Sequence, residues 1–400
     1  MARDHGDGGI DERGKDRWRL RYRIGGKRYT KTFRGSITDA KKELRRLLKS
    51  GDEGAHVAPD KITLEAWLTR WIELRQGQTS RRKINARTAE RYAELIRLHV
   101  NPELGTRALQ AITAPMVDVL YQKLAEKGLS SRTIRQVHAV LSASFHTAEN
   151  KALVSRSPIA RVEAPSPGDS DVGQALEQAQ LSKLLDGFRG SSIALIVTLA
   201  AHTGARRGEI LALRWCDFDA KARTLRIERA LEETKAHGLR FKAPKSKRGF
   251  RTIEIDKGLS AVLVKHREKH QRIVAGVPDG AKANFSLIKL PDDALIFPRM
   301  AARVRAGASV SFDLARPRVP RHVTQEFTRR VAKLGMAKLR FHDLRVTHET
   351  LLLDAGVPVH VVAARCGHDP AVLLRNYAKR TRKADTSAAA IIGTLFELPA

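Results

Sequence analysis

From Arg17 to Ile24 the chain alternates without a break, Arg17, Arg19, Arg21 and Arg23 against Trp18, Leu20, Tyr22 and Ile24. Successive side chains of a strand point to opposite faces, so this pattern predicts a strand with one cationic face and one packing face. Gly25-Gly26 signals a hairpin turn, and KRYTKTF reads as the returning strand. In SITDAKKELRRLLKS the period changes: Ala40, Leu44, Leu47 and Leu48 form a helical stripe, with Ser36 or Thr38 placed to cap it. A small sheet backed by one helix is expected over residues 10–50, and GDEGAHVAPD (51–60) reads as a linker.

The next hundred residues are helical in period. Leu64, Trp67, Leu68 and Trp71 recur at spacings of three and four, and Tyr92, Leu95, Ile96 and Val100 share a side in RTAERYAELIRLHV. TAPMVDVLYQKLAEKG has Thr113 as a cap, Pro115 in the first turn and Gly128 at the end. SSRTIRQVHAVLSASFHTAENKALV gives a fourth helix, so 61–162 is read as a helical domain and APSPGDSDVG (164–173) as a second linker. The remainder mixes helices with three short strands, TLRIERAL, GLRFKAP and FRTIEI, and 278–320 is irregular and basic. The apolar tail 386–400 is expected to pack on its own subunit or on a neighbour. The fold class is therefore α+β, mostly α.

Composition narrows the partners. Lys and Arg number 74 against 43 Asp and Glu, a formal charge of +31 on 400 residues, which points to a polyanion. Nucleic acid is the first such partner and an anionic membrane surface the second. A membrane role lacks its element, since no stretch is a spanning helix and no basic amphipathic helix has a rich apolar face. MARDHGDGG has no apolar signal core, and Cys216 and Cys366 form neither a metal pair nor a disulfide framework. A reduced, cytoplasmic, soluble protein is expected.

Four stretches in the last 230 residues carry chemistry. In TGARRGEILAL a glycine ends a buried helix, and Arg206 and Glu209 stand at the start of the next. An arginine beside helix N-terminal amides can offer its planar fork to a phosphate, although a structural Arg–Glu pair is the plainer reading. In KAPKSKRGFRTIEI, Lys245 and Ser246 occupy a basic turn before a strand. In FHDLRVTH, His342 and Arg345 share a helical face and could grip two oxygens of one phosphate. His348 lies nearby, but no set here has convincing metal-ligand spacing. In CGHDPAVLLRNYAKR, His368 follows a glycine and Tyr377 lies nine residues on.

In this order the four resemble the tyrosine recombinases, also called phage-type integrases. The resemblance runs the length of the chain: 10–50 resembles their three-stranded arm-binding domain, 61–162 their helical core-binding domain and 174–385 their catalytic domain. Two departures, Cys366 where many members have Leu and Val346-Thr347 where His-Thr is common, touch no catalytic position. The resemblance implies strand cleavage without metal, cofactor or ATP. Tyr377 would be the nucleophile, Arg206 and Arg345 the phosphate clamp, His342 a proton acceptor or hydrogen-bond donor, Lys245 the acid for the leaving 5′-oxygen and His368 a further donor, with Glu209 in support. It implies a 3′-phosphotyrosine intermediate and integration, with excision also open to it, of a mobile element. The partners it implies are double-stranded DNA at core and arm sites, a homo-tetramer on that DNA, and accessory bending or directionality proteins. Arg17, Arg19, Arg21, Arg23, Lys27 and Arg28 are the expected arm contacts, from a segment (13–50) with 15 basic and 3 acidic residues. A topoisomerase-like enzyme that reseals one duplex, and a DNA-binding regulator that never cuts, are the alternatives.

Overall fold

The computed structural model describes residues 8–24, 26–52, 58, 60–77, 83–166, 173–244, 246–277, 281–299 and 313–378. Gly25, Lys245, residues 300–312 of the basic stretch and the tail 386–400 therefore lie outside the described residues. The chain divides into two compact units, Met1–Ser170 and Asp171–Ala400.

The first unit begins with an antiparallel sheet of β1 (Gly9–Glu12), β2 (Arg17–Ile24) and β3 (Lys27–Arg34), in that order. Leu20 and Tyr22 are buried against Ala40, Leu44 and Leu47 of α1 (Ile37–Asp52), so the packing face predicted for RWRLRYRI meets the helix stripe. β1 is too short for its own period to announce it, and its contribution is chemical. Asp11 lies opposite Arg19 and accepts from Arg19 Nη2 and Arg21 Nη2, each at 2.8 Å. The register pairs Arg17 with Arg34, Arg19 with Thr32, Arg21 with Thr30 and Arg23 with Arg28. Directly opposed residues share a face, so Arg28 joins the arginine face. Lys27 instead opposes Ile24 and falls on the other face.

Four helices follow: α2 (Leu64–Gln76), α3 (Ala86–Leu95), α4 (Ala114–Glu126) and α5 (Ser131–Asn150). Thr63, Asn85 and Ser130 cap three of them by accepting from the backbone N–H of the third residue on. Thr113 takes the N-cap position of α4 without a side-chain hydrogen bond. Trp67, Trp71, Val137, Leu141 and Phe145 centre the core. The α-helical pattern expected through Val100 stops at Leu95, and Ile96–Gly105 winds as a π-helix around Pro102. A proline ring clashes with the carbonyl four residues back, and a wider turn relieves that clash.

The second unit holds α6 (Gln178–Gly187), α7 (Ala194–Thr203) and the single turn α8 (Arg207–Ile210). Then come β4 (Phe218–Asp219), β5 (Thr224–Ile227), β6 (Ala230–Thr234), β7 (Gly238–Lys242) and β8 (Arg251–Glu254). TLRIERAL, read as one strand, divides into β5 and β6, which belong to different sheets: β4-β5-β8 and the hairpin β6-β7. α9 (Lys257–Ala275), α10 (Pro320–Lys333), α11 (Asp343–Asp354), α12 (Val359–Cys366) and α13 (Pro370–Ala378) complete it. Its core gathers Leu199, Ile210, Leu225, Ile253, Leu263, Phe327 and Leu344. The fold is α+β and mainly helical, and among the described residues no helix is long and apolar enough to cross a membrane.

Candidate active site

The site forms where three helix ends meet. α7 ends at Gly204, whose φ of +63° suits glycine. A Cβ there would stand 2.7 Å from His348 Cδ2 and 2.8 Å from Cys366 Sγ, so glycine also permits the close approach of α11 and α12. The chain then turns into α8 with Arg206 at the N-cap. Glu209 reaches back: its Oε2 accepts from the Arg206 backbone N–H at 2.9 Å and its Oε1 from Arg206 Nη1 at 2.8 Å. This is the acidic half of a capping box, and it fixes where the guanidinium starts. The Arg206 side chain remains 42% exposed while that of Glu209 is 4% exposed. Burial pushes the Glu209 carboxyl up, but Arg251, hydrogen-bonded to it, and the nearby Arg206 outweigh this and hold it below its usual value.

α11 carries the next group. Arg345 lies in its first turn with its side chain only 2% exposed. Nη1 donates to Gly204 O at 2.8 Å, Nη2 to Cys366 O at 2.5 Å and Nε to His368 Nε2 at 3.1 Å. One guanidinium thereby ties together the ends of α7 and α12 and the Gly-His segment. These bonds use three of its five N–H groups. His342, at the N-cap of α11, keeps an exposed edge. The protein packed around it, and then the charges of Arg345 and Arg206, lower its pKa and favour the neutral ring.

α12 ends at Gly367, at φ +67°, and His368 follows. His368 Nε2 also lies 2.8 Å from Glu349 Oε1, which is 3.0 Å from Arg345 Nε. Sequence reasoning missed Glu349. Its signal was the spacing of four from Arg345, which puts both on one helical face. It also missed Arg251, at the start of β8, which donates to Glu209 Oε2 at 2.8 Å, Gly249 O at 3.0 Å and Arg365 O at 2.7 Å. Cys366 is buried, and burial pushes its thiol up to about 12, so it packs rather than reacts.

Arg206, Glu209, His342, Arg345 and His368 are thus brought together, whereas Tyr377 is held elsewhere. Its hydroxyl donates to Asp354 Oδ1 at 2.8 Å. Asp354 ends α11, nine residues beyond Arg345, which is about 13 Å of helical rise. Burial and Asp354 both raise the phenol's pKa. At its other end α13 is fixed by Asp369, which accepts from the Ala371 N–H at 3.0 Å and pairs with Arg248 of the basic turn.

The model of the phage integrase family matches residues 174–383, more than half of the chain. A XerC-like tyrosine recombinase of Caldanaerobacter subterraneus subsp. tengcongensis is 24% identical over 96% of this chain and 97% of its own. An integrase of Streptomyces ambofaciens is 25% identical over 99% and 98%. Among solved structures, the Tn1549 transposon integrase in complex with a circular intermediate DNA aligns with a TM-score of 0.64 at 19% identity, covering 83% of this chain and 99% of that one. A lambda integrase tetramer bound to a Holliday junction aligns with a TM-score of 0.55 at 16% identity, covering 96% and 99%. The chain belongs to the phage integrase family, the tyrosine recombinases, and is a site-specific recombinase.

Proposed function

We propose that this recombinase integrates, and in the reverse direction excises, a mobile element by cutting each DNA strand through a 3′-phosphotyrosine at Tyr377. The observation that carries the reading is the Arg345 guanidinium, bonded to His368 Nε2 and to Gly204 O two residues before Arg206, on the helix whose N-cap is His342. In this reaction the Tyr377 oxygen bonds to the scissile phosphorus as the P–O5′ bond breaks. Neutral His342 takes the phenolic proton, and Lys245 returns one to the leaving 5′-oxygen. Arg206, through its exposed side chain, and Arg345, through its two remaining N–H groups, neutralise the charge that builds on the non-bridging oxygens, and His368 adds a donor. The ester conserves the bond energy for rejoining, so no ATP is consumed, and the guanidiniums supply the charge without a metal ion.

Two duplexes exchanging two strands each need four such sites, so the active form is a tetramer on DNA. The lambda integrase relative is solved as a tetramer on a Holliday junction, which supports this stoichiometry. The arginine face of β2 and β3 serves a separate arm site on duplex DNA. Arg17 opposite Arg34 and Arg23 opposite Arg28 are like-charge pairs that phosphates would relieve. Accessory bending or directionality proteins would act on the same assembly.

The Tyr377–Asp354 bond is the one observation that favours a DNA-binding protein that never cuts. A nicked duplex carrying the attachment site separates the readings. The recombinase leaves protein covalently joined to DNA on a denaturing gel, in EDTA, and Tyr377→Phe abolishes the adduct while keeping affinity. Tight binding without any adduct from the wild type establishes the non-cutting protein instead.

A further inference from the structure

We propose that Arg251 is a positioning residue that holds Arg206, the basic turn and the helix end before His368 in one fixed arrangement; this rests on the strand-cleavage reading above. Its side chain is 6% exposed, so it is placed to act on other groups rather than on DNA. Its three donor nitrogens reach three separate segments: Glu209 beside Arg206, Gly249 O in the turn between β7 and β8, and Arg365 O in the last turn of α12.

Each bond has a consequence. The last carbonyls of a helix have no partner within it, and Arg251 takes one at the end of α12 while Arg345 takes the next, Cys366 O. The α12 end that leads into His368 therefore rests on two guanidiniums. A Cβ on Gly367 would lie 2.8 Å from Arg248 O and 3.2 Å from Arg251 Nη1, so the helix end sits directly against the basic turn. Glu209 is shared: Arg206 Nη1 holds one carboxylate oxygen, and Arg251 Nη2 holds the other together with the Arg206 backbone N–H. Removing Arg251 leaves that carboxylate freer to rotate, and Arg206 turns with it. A lysine cannot replace the fork, because one ammonium at the end of a flexible stem cannot span three acceptors in these directions.

The test uses the full chain, saturating nicked duplex and single-turnover formation of the covalent adduct, for Arg251→Lys, Arg251→Gln, Arg206→Ala and Arg206→Ala/Arg251→Gln. We expect both Arg251 variants to bind duplex within about twofold of wild type yet form adduct on the order of a hundredfold more slowly. The double variant should be slower than Arg206→Ala alone by less than the full Arg251 factor, because one of the three Arg251 contacts acts through Glu209 and Arg206. On a duplex whose scissile phosphate is a methylphosphonate, with no charge to neutralise, the Arg251 penalty should shrink by roughly tenfold. A merely structural role slows both substrates alike. Thermal melting checks folding, and Arg251→Lys, which preserves charge and bulk, carries the test where Arg251→Gln does not fold. Wild-type rates in Arg251→Lys, or factors that multiply in the double variant, overturn the proposal. No adduct from the wild type defeats the cleavage reading itself, a separate result.

Discussion

His270 shows how one proton is tied to the stability of the fold. Its Nδ1 accepts from Trp215 Nε1 at 2.9 Å. An indole N–H only donates, so Nδ1 must keep its lone pair and the ring must stay neutral. Burial, and then the neighbouring His266 and Arg318, lower its pKa to about 3. The folded pKa lies below the unfolded value, so between them the unfolded chain binds the proton and the native chain does not. Stability is therefore full above about pH 6.5 and falls as the pH drops, by about 2 kcal/mol per such group between pH 6.5 and 5. Urea unfolding of the catalytic unit in the full chain should show this loss, and His270→Asn, which retains an acceptor but does not titrate, should reduce it. An identical pH dependence in the variant contradicts the account. Legibility at this scale follows chain distance. Arg206, Glu209, His342, Arg345 and His368 sit in short local motifs that could be read. Arg251 works through Glu209 and Arg365, 42 and 114 residues away, a pairing that only tertiary folding creates.

At the scale of elements, periodicity was legible where strands and helices are half-buried. RWRLRYRI became β2, with Leu20 and Tyr22 inward, and WLTRW became the core face of α2. The pattern could not show β1, four residues long, so the arginine face looked purely cationic. Asp11 neutralises part of it and holds Arg19 and Arg21 in fixed orientations. Nor could it show the π-helical turn at Pro102, because the apolar spacing changes little when a helix widens. The clearest consequence concerns α13, pinned to the basic turn by Asp369 and to the end of α11 by Tyr377. If Tyr377 is the nucleophile, as proposed, cleavage requires the second contact to break. Asp354→Ala removes the acceptor, and a hydrogen bond to a carboxylate is worth about 1.5 kcal/mol. Adduct formation on saturating duplex should then accelerate by roughly tenfold. A slower reaction would mean that Asp354 assists the chemistry instead of storing the tyrosine.

For the whole molecule, a formal charge of +31 is the global sign of a polyanionic partner, and the fold distributes the tasks that follow from it. An arginine-faced sheet, a helical module with its own core and a catalytic unit with a buried guanidinium network each present a different chemistry. The alternation behind the sheet and the stripes behind the helices could be read from the sequence, whereas the Tyr377–Asp354 hydrogen bond depends on packing between helices and could not. The central claim is that this chain cuts DNA through Tyr377. The most direct measurement traps the adduct on a nicked duplex, digests protein and DNA, and sequences the nucleotide-bearing peptide by mass spectrometry. The account predicts the peptide containing Tyr377, with the tyrosine oxygen bonded to a 3′-phosphate and a free 5′-hydroxyl on the released strand. A nucleotide on any other residue, or linkage to a 5′-phosphate, contradicts it.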